Sequence, residues 1–500
     1  MNTFTENLKT STNYKLTENG ALAHKSTLSK VYDMFAFGGA YRNRTEEDCI
    51  QLFSEALEEA EDLAIKCLFY LRDVRGGQGE RRFFRVCFRW LCLNEPKTAL
   101  RNLDQVSEFG RWDDLIYTAF GTELEVPALD IIKEQLELDV QCKTPSLLAK
   151  WLPSENASSN LTKIMGGIVR QHLGLSHKEY RLLLSSLRGK IKIVETLMSQ
   201  NRWDEIEFDK IPSRAGLIYK NAFARRDIIA KKYENFVKDE NTTVNAKDLY
   251  PYDIIRNARK DFDSWYNYGK NALQISQTER DALQKMWENL PDYFEGNPAK
   301  MIAVVDTSGS MTGWGNRNVA PIDVAISLGL YCAERNTGDF ANKFITFSTN
   351  PQFVETFGAD IYQKANNIYK KSIVADTNLE ATFDLMKRAA LKANPEDIPE
   401  TIVVISDMEI NYGVVGVHSN GDMMTLMERI RADWEAAGLT MPKLVYWNVD
   451  ARDNTVLDLG PDVSYVSGCS PVVFQMVMTG KTGKDLMLEK LNSERYASVG

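Results

Sequence analysis

Long apolar runs are absent from this chain of 500 residues, so no segment reads as a membrane-spanning helix. Histidine is scarce: His24, His172, His177 and His418 are the full set of 4. None stands in a pattern that builds a Ser-His-Asp or Cys-His nucleophile, and none falls in a paired zinc spacing. The 7 cysteines are an odd number without metal-type spacing, which points to reduced thiols in a cytosolic setting. Cys67, Cys87, Cys92 and Cys332 sit in apolar helical patterns and read as core. The stretch MNTFTENLKTSTNYKLTENG has no apolar centre, so no secretory leader is expected. These absences leave a cytoplasmic protein with no membrane segment and no enzyme signature.

An apolar share of 44% and a charged share of 26% are ordinary for globular proteins, and the length calls for two or three domains. The net charge of −9 is unevenly spread. Residues 301–500 carry 17 basic and 25 acidic side chains, a net of −8, whereas 142–230 carry 15 against 8, a net of +7. An acidic domain beside a locally basic one implies a division of labour.

Met301–Met311, MIAVVDTSGSM, is the stretch around which the chemistry is organised. Met301–Val305 lacks polar alternation, the mark of a strand buried on both faces of a parallel sheet. It ends in Asp306-Thr307-Ser308-Gly309-Ser310, a carboxylate and two hydroxyls at a spacing of two on a tight turn. Hard oxygen ligands of this kind suit Mg2+ or Mn2+. Ligands of open α/β sheets bind at the carboxyl ends of strands. Two later loops fit the same plan. Asp376-Thr377-Asn378 opens a helical pattern, and a second buried strand, Thr401–Ile405, ends at Ser406-Asp407. Together the three loops resemble the metal-ion-dependent adhesion site of von Willebrand A domains, with its D-x-S-x-S motif, threonine and second aspartate. The resemblance implies a metal set of Asp306, Ser308, Ser310, Thr377 and Asp407. One departure stands out: the third loop of that family commonly reads T-D-G, and here it reads Ser406-Asp407-Met408-Glu409. Glu409 would add a carboxylate near the metal.

In chain order, residues 1–25 read as a polar, mobile arm, and 26–298 as a helical-repeat domain with a connecting segment from about 240. Residues 299–500 read as a von Willebrand A-like doubly wound sheet, strands alternating with helices from Met301 to Leu491. The fold class is thus multidomain α + α/β. Cys49, Leu52, Phe53 and Ala56 share one helical face. Gly76-Gly77-Gln78-Gly79, flanked by Arg72, Arg75 and Arg81, breaks the helical pattern before a new helix near Glu80. It is either an interhelical turn with surface arginines or a phosphate-binding loop, but no P-loop, since G-K-[ST] does not follow. Further short helices suggest a HEAT-type solenoid. Lys150, Arg170, Arg188, Lys190, Lys192 and Arg226, interleaved with Trp151, Trp203 and Tyr219, form a faint footprint of nucleic-acid binding.

Arg72–Arg81, Gly110–Leu115, Ser146–Ser154 and Pro212–Asp227 resemble segments of an uncharacterised family of phages, giant viruses and plants. That family is similar in plan to Ro-type proteins, whose helical-repeat TROVE module closes into a ring with a von Willebrand A domain. The resemblance implies an RNA-binding ribonucleoprotein scaffold for noncoding or misfolded RNA, with Mg2+ in the A-type domain, and the chain is expected to be a monomer. RNA contacts are expected from Arg72, Arg75, Arg81, Lys150, Arg170, Lys190, Lys192 and Arg226. The alternative is a protein-interaction module whose metal takes an acidic residue of a partner.

Overall fold

Strand β3, Met301–Asp306, is buried at every position and lies inside a six-stranded sheet. The computed structural model describes residues 12–191, 193–258, 275–295, 300–312, 319–347, 350–371, 378–410 and 425–500. Besides β3, the strands are β1 (Tyr14–Leu16), β2 (Leu22–His24), β4 (Lys343–Phe347), β5 (Gln352–Glu355), β6 (Thr401–Ser406), β7 (Lys443–Asn448) and β8 (Val463–Ser467). The sheet order is β5-β4-β3-β6-β7-β8, parallel throughout except for the antiparallel edge strand β5. The chain is therefore a multidomain α + α/β protein. Val, Ile and Ala fill β3 and β6 because a parallel strand with helices over both faces has no solvent side. The helix Pro321–Arg335 packs on β3, β4 and β6. Its Gly329 permits this close approach, since a Cβ there would lie 2.4 Å from a Val305 methyl.

Two compact units divide the chain. The sheet unit comprises residues up to Ala60 and Ala246–Ser493, and the helical unit comprises Glu61–Asn245 and Glu494–Gly500. This differs from the expectation of a mobile arm to residue 25 and a boundary near 298. From residue 12 onward the amino-terminal stretch is built into the sheet unit. β1 and β2 form an antiparallel hairpin, and His24 forms a bridge with Val456. The helix Lys30–Phe37 lies against β8, where Tyr32 Oη accepts a hydrogen bond of 2.9 Å from the Tyr465 amide. Polar side chains hid this order, because the pairing is made by main-chain groups. The helix Pro251–Ala258, expected in a connector, buries Ile254 and Ile255 and packs on Pro321–Arg335 within the sheet unit.

In the helical unit, consecutive helices pack as neighbours: Glu61–Arg72 on Arg81–Asn94, that helix on Trp112–Ala119, and Trp112–Ala119 on Glu125–Gln141. Phe69 is the hub, with edge-on contacts to Phe84, Phe88 and Phe109. Tyr496 stacks on Phe109 and meets Tyr70 edge-on. Cys49, Cys67, Cys87, Cys92, Cys332 and Cys469 are buried free thiols, and Cys142 is exposed. No helix among the described residues is long and apolar enough to cross a membrane.

Candidate functional site

The sheet order reverses between β3 and β6, and their register sets Val305 beside Ile405. Asp306 and Ser406 therefore end neighbouring parallel strands at the switch point, where open α/β sheets bind ligands. Asp306 is fully buried. One carboxylate oxygen accepts the Ser308 amide at 2.9 Å, and the other accepts the Ser406 hydroxyl at 2.5 Å. The Ser308 and Ser310 hydroxyls lie 3.0 Å apart. Burial, and then the nearby Asp407, push the Asp306 carboxyl up to about 7. Two carboxylates and two hydroxyls thus gather at the neighbouring carboxyl ends of β3 and β6. Thr377 lies outside the described residues. Among the described residues no group of three or more His, Cys, Asp or Glu gathers into a metal cluster. The donor set fits a hard divalent cation, because buried, mutually repelling carboxylates gain most from added positive charge.

The third loop turns through Met408, whose φ of +63° lies in the left-handed region. This is the place where the A-domain pattern carries glycine, so the bulkier residue keeps the turn at a cost of about 1–2 kcal/mol. The Ser406 hydroxyl accepts the Met408 amide at 2.9 Å, and the buried Met408 side chain holds the loop against the strain. Glu409 points elsewhere. One of its carboxylate oxygens accepts the Glu18 amide at 2.9 Å, and its carbonyl accepts the Asn19 side chain at 2.7 Å. Among the described residues its other carboxylate oxygen is buried without a partner, and burial pushes the carboxyl up to about 7. The Thr17 hydroxyl donates to the Ile410 carbonyl at 2.7 Å. The β1–β2 turn thus straps the third loop.

Arg452 was missed in the sequence, as it lies beyond β7 and outside the three-loop pattern. Its guanidinium donates to Asp407 at 2.5 Å and to Glu18 at 2.7 Å. Asp407 already has this counter-charge, so Asp306, Ser308 and Ser310 are the residues left to hold a cation directly.

The eight basic residues expected to touch RNA are scattered. Arg72 is 2% exposed and bonded to Asp114 at 2.6 Å, so it is not a surface group. It was misjudged because a guanidinium beside glycines looks exposed until its buried acid is known. Arg75 pairs with Glu108 at 3.0 Å and Arg170 with Glu155 at 2.9 Å. Lys190 donates to the Val140 and Cys142 carbonyls at the end of the helix Glu125–Gln141. Lys192 lies outside the described residues. Arg226 sits over Trp203 and Lys150 over Trp151. Arg81 is exposed, and among the described residues no acid pairs with it. The glycine turn does not cradle phosphate: the Gln78, Gly79 and Glu80 amides are spent on the Tyr70, Asp73 and Leu71 carbonyls. Arg111, also missed, lies 3.9 Å over the Trp151 ring.

A two-unit α + α/β protein with a polar site at its sheet switch point is the class that this fold defines. More particularly, the chain belongs to the family described as Domain of unknown function (DUF2828), whose profile matches residues 17–119 and 128–297. A second profile, Domain of unknown function (DUF7788), matches residues 300–497. The chain is similar to "Uncharacterized protein L728" of Acanthamoeba polyphaga mimivirus, 28% identical over 518 residues, spanning 94% of this chain and 85% of that protein.

Proposed function

We propose that this protein is a non-enzymatic, RNA-binding scaffold that carries a Mg2+-dependent docking site in its sheet unit. The observation behind the docking site is the meeting of Asp306, Ser308, Ser310 and Asp407 at the switch point between β3 and β6. Bound Mg2+ would supply a Lewis-acidic position for an oxygen of an acidic ligand. Asp306, Ser308 and Ser310 hold the cation, and Asp407 adds negative charge tempered by Arg452. The resemblance to von Willebrand A domains supports this reading. For RNA, support comes from the net charge of +7 over residues 142–230 and from the resemblance to Ro-type proteins. On this reading the helices form a HEAT-type array, and that resemblance implies closure into a ring.

The pairing of Arg72, Arg75 and Arg170 with acids favours a second reading. In it, the metal site takes an acidic side chain of a protein partner and the helical unit is a further protein surface. Gel shifts with single-stranded and structured RNA, run from low to moderate salt with and without Mg2+, separate the two. RNA affinity falls steeply with salt by counterion release. Absence of binding to either RNA at low salt refutes the RNA reading. Calorimetry with Mg2+ on the full chain and on Asp306→Ala tests the docking site, and equal heats from both refute it.

A further inference from the structure

The helical unit contains a cleft of about 480 Å3 between the helix His177–Ile191, the segment around Ser154 and the helix Val194–Ser199. Pockets of 300–1,000 Å3 are the usual size for small-molecule and nucleotide ligands. Arg181, Ser185 and Arg188 line it at helical spacings of four and three, so one face of one helix supplies two guanidinium groups with a hydroxyl between them. Ser154, Thr196 and Gln200 add polar groups from the other walls.

The charge balance of this cleft is unusual. Among the described residues its one acid, Glu155, is already taken by Arg170 and by His177, each at 2.9 Å. Arg188 is half-buried and, among the described residues, donates only to neutral oxygens: the Ala149 carbonyl at 2.8 Å, the Leu152 carbonyl at 3.0 Å and the Ser154 hydroxyl at 3.2 Å. A guanidinium has five N–H donors, so two of its own are left over. Arg181 is exposed, and among the described residues it has no ion pair. Two cations without a carboxylate, in a cleft lined with hydroxyls and amides, lack an anion to complete them.

We infer that this cleft binds the sugar-phosphate backbone of single-stranded RNA, with Arg181 and Arg188 on phosphates and the hydroxyl and amide groups on ribose. This rests on the RNA reading proposed above and gives it a place. Seven residues separate the two arginines, about 10 Å along a helix axis. The pair therefore suits a stretch of chain with more than one phosphate, and inorganic phosphate alone binds weakly. The exposed ring among the described wall residues is His177, which Glu155 holds at 2.9 Å, and no Phe, Tyr or Trp platform is exposed there, so recognition here is chiefly of backbone rather than base.

The test uses the full chain and a fluorescent oligouridylate of about eight nucleotides, within the usual span of single-strand sites. Arg181→Glu reverses an exposed charge that holds no other group, and Ser185→Trp fills the cleft without changing charge. Both should weaken binding roughly ten- to a hundredfold. Arg181→Glu should also flatten the salt slope by about 0.7 for each phosphate left without its cation. Lys392→Glu, an exposed charge of the sheet unit, is the control and should leave affinity within a few-fold. At equal ionic strength, inorganic phosphate should displace the oligonucleotide no better than chloride does; if phosphate is clearly the stronger competitor, the site is a phosphate-ion site and the inference is overturned. If the wild type binds and either cleft variant binds equally well, the cleft is refuted while the RNA reading stands. If the wild type binds no RNA at low salt, both fall together.

Discussion

Arg452→Ala should make the sheet unit less stable without Mg2+ and bind Mg2+ more tightly. Asp407 is fully buried, and the Arg452 guanidinium meets it at 2.5 Å while its own side chain is 24% exposed. Charge centres about 4 Å apart attract by about 4 kcal/mol at an effective dielectric constant near 20. Desolvation of the guanidinium offsets much of that gain, but removing it strands a buried carboxylate, which costs about 3–5 kcal/mol. Water entering the space left by the arginine reduces this to about 2–3 kcal/mol. For a unit of this size each kcal/mol moves the melting temperature by about 2 °C, so a drop of about 4–6 °C is expected in chelator. Mg2+ adds positive charge beside the same carboxylates and recovers part of the loss. Recovery of about 1.4 kcal/mol corresponds to a tenfold gain in affinity. Thermal melts over a Mg2+ titration measure both quantities, because a ligand of the native state stabilises by mass action. Refutation would be a variant that melts lower at every Mg2+ concentration by the same amount, which would make Arg452 a structural group without influence on the cation.

Three other perturbations follow from the same structure. Asp306 has its carboxyl raised from 3.8 to about 7, so the native state holds a proton that the unfolded chain releases. Metal-free stability of the sheet unit should therefore fall as pH rises from about 4 to 7, and a flat profile in chelator, or an unchanged one in Asp306→Asn, rules this out. Burial opposes ionisation of Asp114, but Arg72 and Arg85 outweigh it and hold the carboxyl below its usual range. Its contribution is present above the unfolded carboxylate pKa and disappears as pH falls below it; Asp114→Asn should cost about 3–5 kcal/mol by urea unfolding at neutral pH, and a loss under 1 kcal/mol contradicts the buried pair. Tyr496 is buried between Tyr70 and Phe109, with its hydroxyl 3.1 Å from Asp73. Tyr496→Ala should destabilise the helical unit by about 3–5 kcal/mol and leave Mg2+ binding unchanged, which hydrogen exchange and calorimetry resolve together.

The buried strands were legible because apolar runs ending in polar turns have few alternatives. Met301–Val305 and Thr401–Ile405 were expected as strands and lie within β3 and β6. The edge strand Gln352–Glu355 was not read, since four residues with Phe353 exposed and Val354 alone buried are too short to give a periodic signal. Asp306 and Asp407 were legible as strand-end carboxylates. Arg452 was not, because its role depends on a loop after β7 folding back beside β6. Arg72 illustrates the opposite error: local sequence shows a charge beside glycines, while burial depends on Asp114, distant in sequence. The ordered hairpin at Tyr14–His24 escaped notice because its bonds to Val456, Glu409 and Ile410 are formed with residues some 400 positions away.

The division of the chain into Met1–Ala60 with Ala246–Ser493, and Glu61–Asn245 with Glu494–Gly500, has a consequence for synthesis. Neither unit is completed in the order in which it is made. The helix Lys30–Phe37 must wait for β8, more than 400 residues later, and Phe109 must wait for Tyr496. At 5–20 residues per second, those apolar faces stay uncovered on the ribosome for roughly 20–90 s. Over that interval the nascent chain is a client for chaperones that hold apolar surface. Its yield in a foreign host should respond more to their supply and to slower, cooler translation than to any substitution that improves the finished protein.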